Sequence, residues 1–507
     1  MMQIDAPDLA AQWLKGHVGA GKLHTDSRRI KAGDAFIAWP GAASDGRQYV
    51  ASSLQEGASC CLVESDGVHA FGFDDARIAQ VAGLKEKSGL IAAAYYEQPS
   101  NALDVIAVTG TNGKTSSAWW IAQALNIVRD HSLQKNEHSA QYVCGLMGTL
   151  GIGTPGAMVS TGLTTPDPVM LQAELARLRD AGASACAMEA SSIGLAEHRM
   201  AGCVVKVAVF TNFTQDHLDY HGSMAAYWLA KRALFDMPGL QTAVINLDDP
   251  KSDELVAYCK ERGLRVITTS QVRSDATLCG GRPEHQASGM RFDVTHAGQT
   301  LSVSCPVLGD FNATNMLGVI GALLALGEDI EATCQALARC TAVPGRMELI
   351  AQSQQPLLVV DYAHTPDALV KALAALRATA QARGGKLWCV FGCGGNRDPL
   401  KRALMAGACQ DASDHIVLTS DNPRSESPQS IASQVMAGFA ANANVHQELD
   451  RKKAIRWAAQ HAAIEDVILI AGKGHEDTQE IAGIKHPFSD TQEARAALAL
   501  RTQGEVA

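Results

Sequence analysis

Three short stretches of the chain carry residue types and spacings suited to chemistry on phosphate and carboxylate groups. The first is TGTNGKT, with Gly110, Thr111, Asn112, Gly113, Lys114 and Thr115. Between a strand and a helix, such a loop offers backbone N–H groups and a helix N-terminus to phosphates. Its lysine neutralises them, and its threonine hydroxyl can reach Mg²⁺. The strict G-x-x-x-x-G-K-[ST] pattern asks for glycine at position 108, which is Val108, so only the shorter motif is present. The plain alternative is a strand-to-helix turn with no ligand. The strand signal LDVIAVTG before the loop and the helix-compatible run from Lys114 favour nucleotide binding. The second stretch is ACAME, an apolar run ending in Glu189, where a carboxylate beside the loop suits a Mg²⁺ ligand better than an N-cap or a surface ion pair. The third is DNPR: Asp421, Asn422, Pro423 and Arg424, two residues beyond the apolar HIVL. Alone, DNPR reads as a turn, with Pro423 fixing φ and Asn422 capping. The sharper reading is that the turn aims Arg424 at an anion.

These residues need a scaffold of strands ending at one edge. Short strand-like runs and glycine turns fill residues 1 to 100, among them AFIAW and CCLVE. From LDVIAVTG onward, ACAMEAS, VKVAVFTNF and TAVINLDD alternate with helical segments such as DPVMLQAELARLRDAG, the signature of β-α-β units around a parallel sheet. A second series starts near PGRMELI and runs through LLVVDYAH, KLWCVFGCGG, HIVLTSDNPR and DVILIAGKGHE. Each is an apolar run ending in a polar or glycine cluster, and ligands of open α/β sheets bind beyond the carboxyl ends of strands. The polar DHSLQKNEHSAQ, 130–141, lacks apolar period and reads as a surface insertion.

With 507 residues the chain is too long for one core and suggests roughly two to four domains. Its net charge of -10 and lack of a basic block exclude a general nucleic-acid binder and leave room only for locally built anion sites. Among the longest apolar runs is GVIGALLALG, well short of the roughly 20 residues that span a bilayer, so no membrane insertion is expected. The start, MMQIDAPDLAAQW, has no basic segment leading into an apolar one. Thirteen scattered cysteines without a CxxC pair read as buried, reduced thiols of a cytosolic protein.

TGTNGKTS resembles the phosphate loop of the Mur ligases, and other segments agree with that family in order and spacing. They are TDSRR, STGLTTPDP, AMEASS, FTNFTQDHLDYHG, LGDFNATN, PGRME, DYAHTPDAL, FGCGGNRD, DNPR and GKGHE. The set is most similar to the members that add the third amino acid of the peptidoglycan precursor. The resemblance implies an α/β protein of three domains. These are a UDP-precursor-binding domain (1–100), a central ATPase-like parallel sheet (101–343) and a Rossmann-like amino-acid-binding domain (344–507). It implies that ATP phosphorylates the terminal carboxylate of UDP-N-acetylmuramoyl-L-alanyl-D-glutamate and that an amine then attacks the acyl phosphate, in a monomeric enzyme of the bacterial cytoplasm. A carboxylate is a poor electrophile and phosphate a good leaving group, so positioning and charge neutralisation carry most of such catalysis.

The resemblance also assigns roles residue by residue. Thr115 and Glu189 would hold one Mg²⁺, and His217 a second, with Lys231 carbamylated to supply an oxygen ligand. Without the resemblance, Lys231 in YWLAKRALF reads as a solvated helix lysine, and Asp216, His217, Asp219 and His221 as a solvated loop. Asn312, Asn315, Arg346 and Asp361 match nucleotide-contacting positions, with Lys114 the catalytic phosphate contact. Arg346, at the junction of the second and third domains, would meet phosphates when they close. Ser27, Thr164, Thr165, Ser191, Glu197 and Arg199 match contacts to the UDP precursor. The chain departs from the family at Ile193, where histidine is frequent, and at Glu197, where glutamine occurs. His364 is a candidate by position for the base that deprotonates the attacking amine.

The incoming amino acid of this class is meso-2,6-diaminopimelate or L-lysine, which differ by one distal carboxylate. Arginine meets that group best because its planar fork binds it bidentately. DNPR resembles the diaminopimelate-adding form, so Asp421, Asn422, Pro423 and Arg424 are expected at that amino acid. Arg397, Gly472 and Glu476, at neighbouring strand ends, would serve its near carboxylate and its ammonium groups. Two other readings compete: a folylpolyglutamate-synthase-like ligase, which would lack TDSRR and DNPR with GKGHE, and a nucleotide-binding regulator without catalysis. The joint presence of Lys114, Glu189, His217, Lys231 and Arg346 argues against the regulator.

Overall fold

The computed structural model describes residues 1–41, 44–133, 144–155, 157–286, 289–397, 399–441 and 443–502. These form two compact units, Met1–Cys279 with Thr314–Ala336 and Gly280–Ala313 with Leu337–Ala507. Of the polar insertion expected at 130–141, residues 130–133 end the helix Lys114–Leu133 and the rest lies outside the described residues.

The first unit begins with five parallel strands in the order Met2–Gln3, Ile78–Val81, Cys60–Glu64, Ala35–Ala38, Leu23–His24. Cys60–Glu64 is buried along its whole length, as a strand covered on both faces must be. The next sheet runs Arg265–Ser270, Thr242–Asn246, Val207–Phe210, Asp104–Thr109, Ala185–Glu189, Cys144–Gly148, all parallel. Two antiparallel strands, Gly151–Thr154 and Ala157–Val159, extend it. The pairing of Glu189 with Val108 brings the ends of ACAME and LDVIAV level, so Glu189 arrives beside the glycine loop. Gly113 has φ 86°, and a Cβ there would lie 2.4 Å from Asn315 Oδ1, so only glycine fits.

In the second unit, Glu284–Gln286, Gly289–His296 and Gln299–Cys305 form an antiparallel meander. A six-stranded sheet follows, in the order Glu348–Ile350, Leu357–Asp361, Val467–Ala471, Leu387–Phe391, His415–Leu418, Val445–Gln447, parallel except for its first strand. Val467–Ala471, the last strand of this sheet in chain order, is inserted between its second and third strands in sequence order. Ligands of open α/β sheets bind at such a reversal, outside the carboxyl ends of the strands, and DYAH, FGCGG, DNPR and GKGHE all lie at those ends. The expected α/β architecture of parallel sheets is thus present. Among the described residues no helix is long and apolar enough to cross a membrane.

Candidate active site

The phosphate loop is braced from the neighbouring strand end. Thr111 N–H donates to Asn212 O (2.8 Å) and Asn112 N–H to Asn212 Oδ1 (2.9 Å). Thr111 Oγ1 lies 3.2 Å from the Tyr227 hydroxyl and donates to Thr214 O. These two residues therefore shape the loop, and the helix Lys114–Leu133 begins directly after it, with its N-terminus at Lys114 and Thr115. Lys114 Nζ donates to Gly110 O and Thr111 O, both at 2.9 Å, which holds its charge over the loop. Thr115 Oγ1 donates to Glu189 Oε2 at 2.8 Å, and Thr149 binds both oxygens of the same carboxylate through its N–H and hydroxyl.

A hydroxyl and a buried carboxylate this close are hard oxygen donors of the kind Mg²⁺ accepts. No group of three or more His, Cys, Asp and Glu that could hold a metal occurs among the described residues.

Lys231 overturns its reading as a solvated lysine. It is 1% exposed, its Nζ donates to Gly110 O at 2.7 Å, and it lies 4.4 Å from the centre of the Tyr227 ring. Burial, reinforced by Lys114, lowers its pKa well below the ordinary lysine value. The His217 ring lies 6.1 Å, centre to centre, from the same tyrosine, and His217 sits in a left-handed turn at φ 50°. The helix Met224–Arg232 thus presents Tyr227 and Lys231 one turn apart under the loop. The expected solvated loop is only partly so: His221 Nε2 lies 3.0 Å from Ser192 Oγ.

Of the residues matched to the UDP precursor, Thr164, Thr165, Ser191 and Arg199 fall into a connected group, while the side chains of Glu197 and Ser27 lie outside it. Thr165 Oγ1 donates to Glu189 O (2.7 Å) and lies 3.0 Å from Ser191 Oγ; Arg199 Nη1 donates to Thr165 O (3.0 Å). Thr164 reaches Thr149 at 3.1 Å, which links this group to the Thr115–Glu189 pair. Glu197 accepts a hydrogen bond from Tyr220 and pairs with Lys85 at 2.5 Å, so its extra charge relative to glutamine is neutralised. Ile193 is a half-buried member of the short helix Ser192–Ala196. Ser27 lies elsewhere, opening the turn Ser27–Arg29 in the N-terminal block.

In the second unit, Arg346 stacks over the Tyr362 ring at 4.6 Å, and its buried Nε has no hydrogen-bond partner among the described residues. Asp361 accepts from Met347 N–H and Ala363 N–H, both at 2.8 Å; burial raises its pKa against the pull of Arg346. Asn312 is buried and donates to Leu308 O. His364 is exposed, with Nδ1 2.8 Å from Tyr362 O.

The strand ends of this unit assemble the residues expected at the incoming amino acid. Asn422 uses both ends of its side-chain amide. Its Nδ2 donates to Glu476 Oε2 (2.7 Å), and its Oδ1 accepts from Lys473 Nζ (3.0 Å). Lys473, fully buried and 2.7 Å from Glu476 Oε2, was not singled out in the sequence, where GKGHE offered no sign of which charge points inward. Burial raises the Glu476 carboxyl, but Lys473 and Asn422 outweigh it and hold its pKa below the usual range. Asp421 is also buried, which raises its pKa against Arg451 and Lys473, and its Oδ2 lies where a Cβ on Gly472 would be 2.4 Å away. Arg424 Nη1 donates to Gly395 O at 2.8 Å. Gly395 packs so tightly that an added Cβ would lie 1.9 Å from Pro423 O. Glu426, also unforeseen, joins the same loops: it pairs bidentately with buried Arg402 at 3.0 Å and accepts from Asn396 N–H. Arg397 stands exposed beside them.

His475 makes this region sensitive to acid. Burial, helped by Arg346, lowers its pKa to about 4 from 6.5. Between those values the unfolded chain binds a proton that the folded chain refuses, so stability falls as pH drops through that window. His475→Asn should remove up to about 3 kcal/mol of that loss, measured by denaturant unfolding at pH 7 and pH 4.5.

Comparison with known proteins gives the same picture. The sequence pattern of the Mur ligase middle domain matches residues 108–323, and that of the Mur ligase glutamate ligase domain matches 345–474. A relative from Acidovorax sp. (strain JS42), named UDP-N-acetylmuramoyl-L-alanyl-D-glutamate--2,6-diaminopimelate ligase, is 52% identical over 97% of each chain. A solved structure of a protein with that name has 34% identity, a TM-score of 0.68, and covers 96% of this chain and 95% of its own. A Mycobacterium tuberculosis folylpolyglutamate synthase complexed with ADP shares the fold at 19% identity and TM-score 0.60, over 76% of this chain and 91% of its own.

Proposed function

The chain belongs to the Mur ligase family, and from that premise we propose that it is the ADP-forming ligase that adds meso-2,6-diaminopimelate to UDP-N-acetylmuramoyl-L-alanyl-D-glutamate. The reaction belongs to peptidoglycan precursor synthesis. The observation that carries it is Arg424, presented with Glu476 and Asn422 at the carboxyl ends of one sheet in a chain similar over 97% of its length to a ligase of that name. L-Lysine lacks the carboxylate that would occupy Arg424. The folylpolyglutamate reading leaves the N-terminal sheet and DNPR without purpose.

The mechanism follows from what each residue can do. The amides of Gly113, Lys114 and Thr115, the helix N-terminus and the Lys114 ammonium would bind the ATP phosphates and orient the terminal one toward the precursor carboxylate. Mg²⁺ at Thr115 and Glu189 would neutralise phosphate charge. Thr165, Ser191 and Arg199 would hold the precursor's peptide end, with Ser27 toward its uridine. Asn315, Asn312, Arg346 and Asp361 would complete the nucleotide contacts. The carboxylate oxygen attacks the terminal phosphorus and ADP leaves. The neutral diaminopimelate amine then attacks the acyl carbon, the C–O bond breaks with its electron pair leaving on phosphate, and the amine's extra proton passes to a base, a role for which His364 is the candidate by position. The substrates are water-soluble, and we read the protein as a monomer of the bacterial cytoplasm, in three domains spanning 1–100, 101–343 and 344–507.

Carbamylation of Lys231 begins from the neutral amine, because only a free lone pair attacks CO₂. Its burial and lowered pKa favour that form. The carbamate would turn this site, together with His217, toward a second Mg²⁺. Lys231→Ala should lower kcat by about 10² or more, with part of the activity restored by added short carboxylates. The function itself is tested by phosphate release with ATP, UDP-N-acetylmuramoyl-L-alanyl-D-glutamate and candidate amino acids. Release that depends on meso-diaminopimelate is expected; release with lysine instead, or with neither, would overturn the reading.

A further inference from the structure

Arg424 has φ 52°, a left-handed backbone that a long L side chain keeps only when its surroundings enforce it. One flank is the Gly395 carbonyl, which accepts from its Nη1. The other flank is a hairpin, Thr478–Ile481 with Ile484–Pro487, which forms a two-stranded sheet of its own. Arg424 N–H donates to Glu480 O (3.0 Å) and Arg424 O accepts from Ala482 N–H (2.6 Å), a one-residue parallel bridge centred on Ile481. Glu480 N–H donates to Asn422 Oδ1 (3.0 Å), and buried Gln479 donates through Nε2 to Asp421 O (2.7 Å). The hairpin therefore holds DNPR at three of its four residues. The Glu480 carboxylate also stands 3.9 Å from Arg424 Nε, turning the guanidinium by charge.

Resting on the diaminopimelate reading of this site, we propose that the hairpin 478–487 is a specificity-determining element and that Gln479 and Glu480 are positioning residues that aim Arg424 at the distal carboxylate of the incoming amino acid. Gln479 fixes where the turn starts, through the Asp421 carbonyl. Glu480 fixes the residues on either side of Pro423 through its own N–H and C=O, and biases the guanidinium through its side chain. Both touch the DNPR turn, so their influence is expressed through Arg424 and vanishes where Arg424 has nothing to bind.

Gln479→Met keeps the length of the side chain and removes the donor. It should raise KM for meso-diaminopimelate about tenfold while kcat and the KM for ATP stay within about twofold. In an Arg424→Ala background the same change should have no further effect, because residues acting through one another are not additive. Glu480→Lys, at a partly exposed position that folding tolerates, should show the same pattern by repelling Arg424. It decides alone if the first variant does not fold. Equal effects of these changes with and without Arg424, or no effect on KM, would overturn the inference. The unaltered chain assayed alongside separates the two questions: failure to use meso-diaminopimelate removes the ligase reading, whereas independence of 479 and 424 in an active chain removes only the hairpin's role.

Discussion

Lys114→Ala should abolish turnover, with kcat reduced by about 10³ or more, equivalent to about 4 kcal/mol of transition-state stabilisation. The argument is geometric. Lys114 Nζ is 2.9 Å from two loop carbonyls, so its charge is already fixed where phosphates would bind and no reorganisation is needed on binding. The loop does not depend on it for shape, because Asn212 and the Thr111–Thr214 contacts brace the backbone independently. The melting temperature should therefore move by only a few degrees, about the loss of one or two partly buried hydrogen bonds. Phosphate release together with thermal unfolding checks both halves. Activity retained in the folded variant would refute the assignment of the loop.

Arg424→Ala should lower kcat/KM for meso-diaminopimelate by about 10² to 10³, while the KM for ATP stays within about twofold. A site built around a charged fork rejects a ligand strongly once the fork is gone. Alanine inherits the left-handed φ of 52°, so part of any loss could be backbone strain. Arg424→Gly removes that ambiguity, since glycine adopts the conformation freely. Equal losses in the two variants place the effect in the side chain. If ATP and diaminopimelate suffer alike, the turn is only a turn.

The sequence made the strand ends legible because apolar runs ending in glycine or polar clusters have few other physical explanations. Glu189, DNPR and GKGHE lie where that pattern puts them. Legibility failed wherever function depends on what packs underneath. YWLAKRALF has the period of a surface helix, and nothing local says that the phosphate loop covers Lys231. Lys473 failed for the same reason, since its burial depends on Asn422 and Glu476, 51 residues away and three residues away respectively. Thr149 and Asn212 brace Glu189 and the loop, but a threonine and an asparagine after a strand look like ordinary turn residues. For the matched precursor and nucleotide residues, the family resemblance supplied roles that composition and period do not.

The cysteines carry a practical consequence. All thirteen are free and twelve are buried, and burial pushes the thiols of Cys60, Cys61, Cys144, Cys203, Cys259, Cys305, Cys340 and Cys393 up to about 12. A thiol reagent needs both access and thiolate, and these groups deny it both at neutral pH. Cys279 alone is partly exposed. The unmodified chain thus carries a single natural attachment point: a maleimide dye or spin label would settle on one address without any cysteine having to be engineered away.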